Sequence, residues 1–347
     1  MRTAPLPDRV YECRDIVRRI GVLSPTRVHI RNYPASNPVA LFNPAALRKG
    51  EYVELYARII AGYYMYVSAI LRIDIPLLDI LNGYINRAHY TGEIVIYPSS
   101  RYDIWGAEDP RVTLIDGLRV MVYSGRTSNY FDPLARYGRV LPILAVSDET
   151  GRKWRKMGVF ILPDEVREKV IADKDAFLVR YEDGSFLLFH RPHLEGNDGY
   201  HLVVSRIKED TSILFRNFSE IEVHDTAEAL APASFEIGLG WGTPPVEVEP
   251  GKHVVLVHAI DRETQAYRAF ALLLRFRGSQ VYIEGLTPFY IFEPREIYEI
   301  YGDRPMVVFP SGMVKVDDEL IVVYGAGDYV IGFGSIEISE LMALFRP

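Results

Sequence analysis

Leu118-Arg119-Val120-Met121-Val122-Tyr123-Ser124, entered through the tight turn Asp116-Gly117, has the composition and alternation of a β-strand. Four more runs of the same kind stand along the chain. They are Tyr52-Val53-Glu54-Leu55-Tyr56-Ala57-Arg58, Phe186-Leu187-Leu188-Phe189-His190-Arg191, Val254-Val255-Leu256-Val257-His258 and Leu320-Ile321-Val322-Val323-Tyr324-Gly325. The corresponding positions Ala57, Tyr123, Phe189, Val257 and Tyr324 are separated by 66, 66, 68 and 67 residues. Turns precede most of the runs, at Asp116-Gly117, Glu182-Asp183-Gly184-Ser185, Pro250-Gly251 and Asp317-Asp318, as hairpins require. Further strand-like runs follow, such as Leu141–Ser147, Tyr200–Ser205 and Ala269–Leu274.

About 67 residues hold four short strands, so each period reads as one propeller blade with long loops. Five periods account for nearly all of the 347 residues. The expectation is an all-β, five-bladed β-propeller, a single catalytic domain over residues 1–347 with terminal extensions packed on it. A pair of β-sandwiches is the alternative, and the regular period argues against it. Helix is expected only at Asp164–Ala172, Ala45–Gly50 and Glu340–Phe345. In a propeller, equivalent strand ends meet at one mouth of the central channel. Arg58, Ser124, His190-Arg191, His258 and the Tyr324–Asp328 turn are therefore expected to point to one place.

Bulk properties narrow the function. The net charge of −7 argues against a nucleic-acid partner or an anionic membrane surface, both of which need a basic field. A single cysteine, Cys13, allows no intrachain disulfide and no cysteine-type zinc site. The start of the chain lacks the apolar run of a signal peptide, and the apolar stretch Ile59–Leu71 is too short to span a bilayer. A cytoplasmic protein is expected. Only two glutamines, Gln265 and Gln280, occur, and such depletion of thermolabile residues suits a thermophilic source.

Several polar clusters could carry chemistry. Glu108-Asp109-Pro110-Arg111 sets two carboxylates before a proline, where an extended backbone is expected. Alternation then lets only one of them face the channel. A surface turn explains the pair equally well. Lys174, the run His190-Arg191-Pro192-His193 and His258 gather cations in an acidic protein and suit a small anion such as phosphate. Taken singly, each is also an ordinary solvated or satisfied side chain. Asn43, Arg58 and Asp328 are of the types that bind sugar hydroxyls. No P-loop or metal-binding spacing appears, and Gly238-Leu239-Gly240-Trp241-Gly242 lacks the strand–helix context of a dinucleotide site. Neither a metal nor an organic cofactor is expected.

The motifs Phe42-Asn43-Pro44-Ala45-Ala46, Tyr56-Ala57-Arg58, Gly106-Ala107-Glu108-Asp109-Pro110-Arg111, Lys174-Asp175-Ala176, His190-Arg191-Pro192, Gly242-Thr243-Pro244-Pro245, Val308-Phe309-Pro310-Ser311-Gly312 and Tyr324-Gly325-Ala326-Gly327-Asp328 resemble glycoside hydrolase family 130, the β-mannoside phosphorylases and related mannosidases. The resemblance spans almost the whole chain. It implies a five-bladed propeller in which Asp109 is the catalytic acid, its proton passing through the mannosyl 3-hydroxyl. It implies that Asn43, Arg58 and Asp328 surround the mannosyl unit, and that Lys174, Arg191 and His258 hold phosphate. The reaction so implied is inverting phosphorolysis of an oligosaccharide or disaccharide to α-mannose 1-phosphate, with inorganic phosphate as co-substrate and no other cofactor. A hydrolytic β-mannosidase of the same family is the runner-up, and a non-catalytic glycan-binding propeller a third reading. An arabinan-type hydrolase is disfavoured because its three carboxylates find no places. Against the pattern of the family that the chain resembles, residues 152–172 are additional chain between Asp109 and Lys174. Linkage, acceptor sugar and oligomeric state, a homo-oligomer included, stay open.

Overall fold

The first strands of successive sheets touch one another around a common axis, and everything else in the molecule is hung outside them. The structure is a computed structural model that describes residues 2–3, 6–181, 184–197, 199–208, 214–277 and 280–346. Glu182 and Asp183, half of one expected turn, lie outside these described residues. Five sheets are present. Blade one runs through Ala40–Lys49, Tyr52–Ile60, Ser68–Pro76 and Tyr90–Ile96, with Val28–Ile30 added in parallel at its edge. Blade two is Ala107–Ile115, Leu118–Arg126, Val140–Ser147 and Trp154–Ile161, with Ser219–Glu222 outside. Blade three is Val170–Arg180, Phe186–Leu194, Leu202–Ile207 and His224–Leu230.

Blade four has a broken first strand, Glu236–Trp241 and Val246–Glu249, both paired with Lys252–Asp261. The break falls on Gly242-Thr243-Pro244-Pro245, where two prolines supply no ladder donors. Tyr267–Arg277 and Gln280–Leu286 complete the blade, with Arg2–Thr3 in parallel at its edge. Blade five joins Val308–Val316, Glu319–Ala326 and Val330–Glu337 to Arg18–Leu23, so a strand from near the start of the chain closes the ring.

Hairpin geometry explains the turns. Ile115 pairs with Leu118 across Asp116-Gly117, whose φ values of 52° and 77° give the primed turn that matches strand twist. The apolar core is five wedges, one in each seam between neighbouring blades. In one, Phe177 and Phe189 of blade three stack at 4.8 Å beside Trp241 of blade four. This arrangement follows from strands apolar on both faces, each face meeting a different neighbour.

The five runs that reveal the period are the second strands of their blades, one step out from the axis. The inner ring is built by the strands before them. Ser311 Oγ donates to the carbonyl of Pro44 at 2.9 Å, and Thr113 Oγ1 to that of Leu178 at 3.1 Å. Ala45–Gly50 is not helical: Ala40–Lys49 is an inner strand paired with Tyr52–Ile60, because ladder pairing and burial outweigh the helix propensity of Ala-Ala-Leu-Arg-Lys. Helix at 164–172 is confined to Asp164–Arg167, and Val170 already begins blade three. Residues 154–161 are the fourth strand of blade two, so most of the additional chain at 152–172 is blade rather than insertion. A helix does form at Ile338–Leu344. Among the described residues, no helix is long and apolar enough to cross a membrane.

Candidate active site

The inner strands of blades one, two and three share one irregularity. Their pairing with the second strand slips between Phe42 and Ala45, between Glu108 and Arg111, and between Lys174 and Phe177. The residues at these bulges are Asn43, Asp109 and Asp175, successively 66 positions apart. Their φ values are 47°, 47° and 52°, the left-handed region that Asn and Asp tolerate better than other side chains. A bulge bends its strand and re-aims a side chain. Asp109 is thus not on the extended backbone expected before Pro110. Pro44 and Pro110 bring no N–H, so the interrupted ladder leaves no donor stranded there.

At this mouth of the channel lies a cavity of about 510 Å³ lined by residues of all five blades and their loops. Asn43, Arg58, Asp109, Lys174, Arg191 and Asp328 all line it, so six of the seven expected site residues come together. A second cavity, about 420 Å³, lies among residues farther along the same inner strands, including Leu47, Leu114 and Val179, and no carboxylate lines it.

Asp109 is held by one oxygen. Asn43 Nδ2 donates to its Oδ1 at 2.8 Å and Arg58 Nη1 at 3.2 Å. Its Oδ2 has no protein partner among the described residues and is the atom free to carry a proton. The neighbouring Glu108 turns the other way and is fully buried. It accepts from Arg58 Nη2 at 3.0 Å, Arg126 Nε at 3.0 Å and Tyr130 OH at 2.8 Å. Burial alone would raise its pKa, but Arg58 and Arg126 outweigh burial and hold it at about 2. Glu108 is therefore a fixed anion that clamps Arg58 against Asp109. Tyr130 also accepts from Arg58 Nη2 at 2.9 Å, and the Arg126 guanidinium lies 3.4 Å from its ring centre. Burial pushes the Tyr130 hydroxyl up to about 12.

The blade-three wall is cationic. Lys174 makes no hydrogen bond or ion pair among the described residues. Burial pulls its pKa below the ordinary value, against the pull of Glu108. Arg191 contacts Asp175 Oδ2 through Nε and Nη2, both at 2.7 Å, which leaves its Nη1 without a polar partner among the described residues. Asp175 is in turn held well below the ordinary carboxylate range, because Arg191, His258 and Arg111 outweigh its burial.

His258 is placed differently from the sequence expectation. It does not line the cavity. Only 1% exposed, it lies behind Asp175 with Nε2 3.4 Å from Oδ2 and its ring 4.3 Å from that of Phe309. Burial lowers its pKa against the pull of Asp175, and it props Asp175 from behind rather than reaching the cavity. Gly240 makes room for it: a Cβ there would come 2.1 Å from His258 Nε2. Ser124 and His190 also point elsewhere. His190 is fully buried, with Nδ1 2.7 Å from Asp173 Oδ2 and Nε2 2.7 Å from Ser205 Oγ. Strand alternation puts it on the face opposite Arg191.

Asp328, in the last turn at φ 50°, has no hydrogen-bond or ion-pair partner among the described residues. Burial pushes its carboxyl up to about 6, with Asp109 adding to the rise and Arg58 opposing it. Gly325 permits the close approach of Asn43, whose Oδ1 would stand 1.8 Å from a Cβ at 325. Beneath the site, the fully buried Arg111 donates to the carbonyls of Asp109 and Trp241, each at 2.9 Å, and to that of Gly242.

Sequence reading missed Tyr66, Arg126, Tyr130, Tyr267, Asp303 and Arg304, which also line the cavity. Most sit on connections between strands, outside the repeated positions. The 66-residue spacing of Asn43, Asp109 and Asp175 was a usable signal that the site draws on one repeated position.

The fold and site define a five-bladed propeller whose channel mouth sets one positioned carboxyl beside a cationic wall. The chain belongs to glycoside hydrolase family 130: the family model described as β-1,4-mannooligosaccharide phosphorylase matches residues 8–347. A 1,2-β-oligomannan phosphorylase of Thermoanaerobacter sp. (strain X514) is 27% identical over 250 residues, 71% of this chain and 73% of that protein. A β-1,2-mannobiose phosphorylase of the same strain is 30% identical over 238 residues, 68% of each chain. Among solved structures, the β-1,2-mannobiose phosphorylase of Listeria innocua in complex with β-1,2-mannobiose superposes with a TM-score of 0.71 at 18% identity, covering 94% of this chain and 98% of that one.

Proposed function

We propose that the protein is an inverting β-mannoside phosphorylase that releases α-mannose 1-phosphate and an acceptor sugar. The observation that carries this reading is the blade-three wall, where Lys174 makes no ion pair among the described residues and Arg191 keeps part of its fork open, facing a cavity with a positioned acid. A dianionic phosphate satisfies both cations. The phosphorylase names of the relatives and of the family model support it further.

The geometry supports the following roles. Asn43, Arg58 and Asp328 bind the mannosyl hydroxyls. Phosphate, held by Lys174 and Arg191, attacks the anomeric carbon, and the glycosidic bond breaks as the new C–O bond forms. The proton from Asp109 Oδ2 goes to the leaving oxygen, directly or through a substrate hydroxyl. A hydrolase of inverting type needs a second carboxylate to activate water, whereas phosphate arrives already anionic. The reading therefore calls for no cofactor beyond phosphate. Because its product is charged, we place the reaction in the cytosol.

A water-using mannosidase is the second reading, favoured by one observation: the unpartnered carboxyl of Asp328 could serve as its base. Phosphate dependence separates the two. β-1,2- and β-1,4-mannobiose incubated with inorganic phosphate should yield α-mannose 1-phosphate, with cleavage falling by orders of magnitude when phosphate is withheld. Equal cleavage without phosphate rejects phosphorolysis. Asp109→Asn should lower kcat by roughly 10²–10⁴-fold with an unchanged thermal melt.

A further inference from the structure

Inversion fixes where the leaving sugar goes. The nucleophile and the leaving oxygen stand on opposite faces of the reacting ring. Lys174 and Arg191 belong to blade three, and Tyr267, beside Arg191, to blade four. In a five-bladed ring, the position across from the seam of blades three and four is blade one. There the connection 61–67, between the second and third strands of blade one, brings Tyr66 into the cavity wall.

Tyr66 is unusual in three respects. Its backbone is left-handed, with φ 54°, a costly conformation for a bulky side chain and one kept only where the surroundings enforce it. Its hydroxyl lies 3.2 Å from Asp303 Oδ1 of the loop entering blade five, so it is braced from the neighbouring blade. Its ring is flanked by Tyr63 at 5.7 Å and by Tyr130 at 6.1 Å. Tyr63 and Tyr64 continue outward and are 41% and 88% exposed. A strained, braced aromatic in a cavity wall, leading to exposed aromatics, suits the apolar face of a pyranose ring.

We propose that Tyr66 is the platform for the acceptor sugar, with Asp303 as its brace, and that Tyr63 and Tyr64 extend this surface to further units of a longer acceptor. The proposal rests on the phosphorolysis reading, which sets the direction of attack. It assigns acceptor recognition to the 61–67 connection of blade one, apart from the mannosyl contacts of Asn43 and Arg58 on the strands of the same blade and of Asp328 in blade five.

The test is the reverse reaction, synthesis from α-mannose 1-phosphate with mannose, mannobiose or N-acetylglucosamine as acceptor. Tyr66→Ala should raise the acceptor KM roughly tenfold and leave the KM for α-mannose 1-phosphate within twofold. Tyr66→Phe, which loses only the hydroxyl, should shift the acceptor KM by a smaller factor. If Tyr66→Ala melts early, Tyr66→Asn, which suits the left-handed backbone, takes its place. An unchanged acceptor KM overturns the proposal, as does an equal rise in both KM values or a Phe variant as impaired as the Ala variant. If the wild-type protein makes no product from α-mannose 1-phosphate, the phosphorolysis reading fails and the platform falls with it. A working wild type with an unaffected Tyr66 variant removes the platform alone.

Discussion

Asp109 and Asp328 line one cavity, yet their surroundings treat them differently. Asn43 and Arg58 both donate to Oδ1 of Asp109, while Asp328 has no such donor and its carboxyl is pushed up to about 6. The consequence for activity has a definite sign. In the proposed role, ionised Asp328 would accept hydrogen bonds from sugar hydroxyls and lose that capacity as it protonates. The pH profile of kcat/KM should therefore fall as pH drops through about 6. Asp328→Asn should lower kcat/KM at neutral pH and flatten that limb; an unaltered limb in the variant would assign it to another group. The effect on stability runs the other way. The folded form holds this proton more tightly than the unfolded chain, so the contribution is present at low pH and lost as pH rises through about 6. Every site residue named from sequence was legible as a polar side chain near a strand end. What could not be read was direction: His258 and Arg191 both stand at the ends of second strands, but only Arg191 reaches the cavity.

The working element is the bulged inner strand. Three successive blades repeat it, and each puts a different side chain at the same place: an amide at Asn43, an acid at Asp109 and a cation-holding carboxylate at Asp175. The rigid ladders on either side hold these left-handed residues in place. Blade four contributes differently, through the absence of a side chain. A Cβ at position 240 would stand 2.1 Å from His258 Nε2 and 2.5 Å from Asp175 Oδ2. Gly240→Ala should therefore displace Asp175 and loosen Arg191, raising the KM for phosphate roughly tenfold while moving the mannoside KM less. Steady-state kinetics with each substrate varied in turn would check this. A larger change in the mannoside KM would show that Asp175 serves the sugar rather than the anion. Strand content and turns were legible from alternation and turn residues. The bulges were not, because a bulge is a property of two strands in register and neither strand announces it alone.

At the scale of the molecule, closure holds the site together. The cavity takes residues from all five blades, so any opening of the ring pulls Asn43, Arg58, Asp109, Lys174, Arg191 and Asp328 apart. The ring is fastened by Arg18–Leu23 pairing with Val330–Glu337, and Leu23, fully buried, belongs to the wedge between blades five and one. Removing residues 1–23 strips the closing strand of blade five and the edge strand Arg2–Thr3 of blade four, bares an edge on each and empties part of that wedge. A loss of several kcal/mol is expected, which corresponds to a fall in Tm of about 10 °C or more in calorimetry, together with loss of activity. A Tm within a few degrees of the intact chain would mean that the inner ring holds without its fastener.

The sequence by itself determined the period, the number of blades, most of the strands and turns, and the motifs that gather at one mouth of the channel. These are local properties: alternation, turn chemistry and spacing act over a few residues and then repeat. The tertiary structure alone decided that the strand before each repeated run lines the axis and that Asn43, Asp109 and Asp175 sit on bulges. It also decided that His258 stands behind Asp175, and that Tyr66, Tyr130, Asp303 and Arg304 complete the cavity. Each of those depends on which strand pairs with which, and on which loop folds over which blade. Such contacts join residues far apart in the chain, and neither partner's local sequence specifies them.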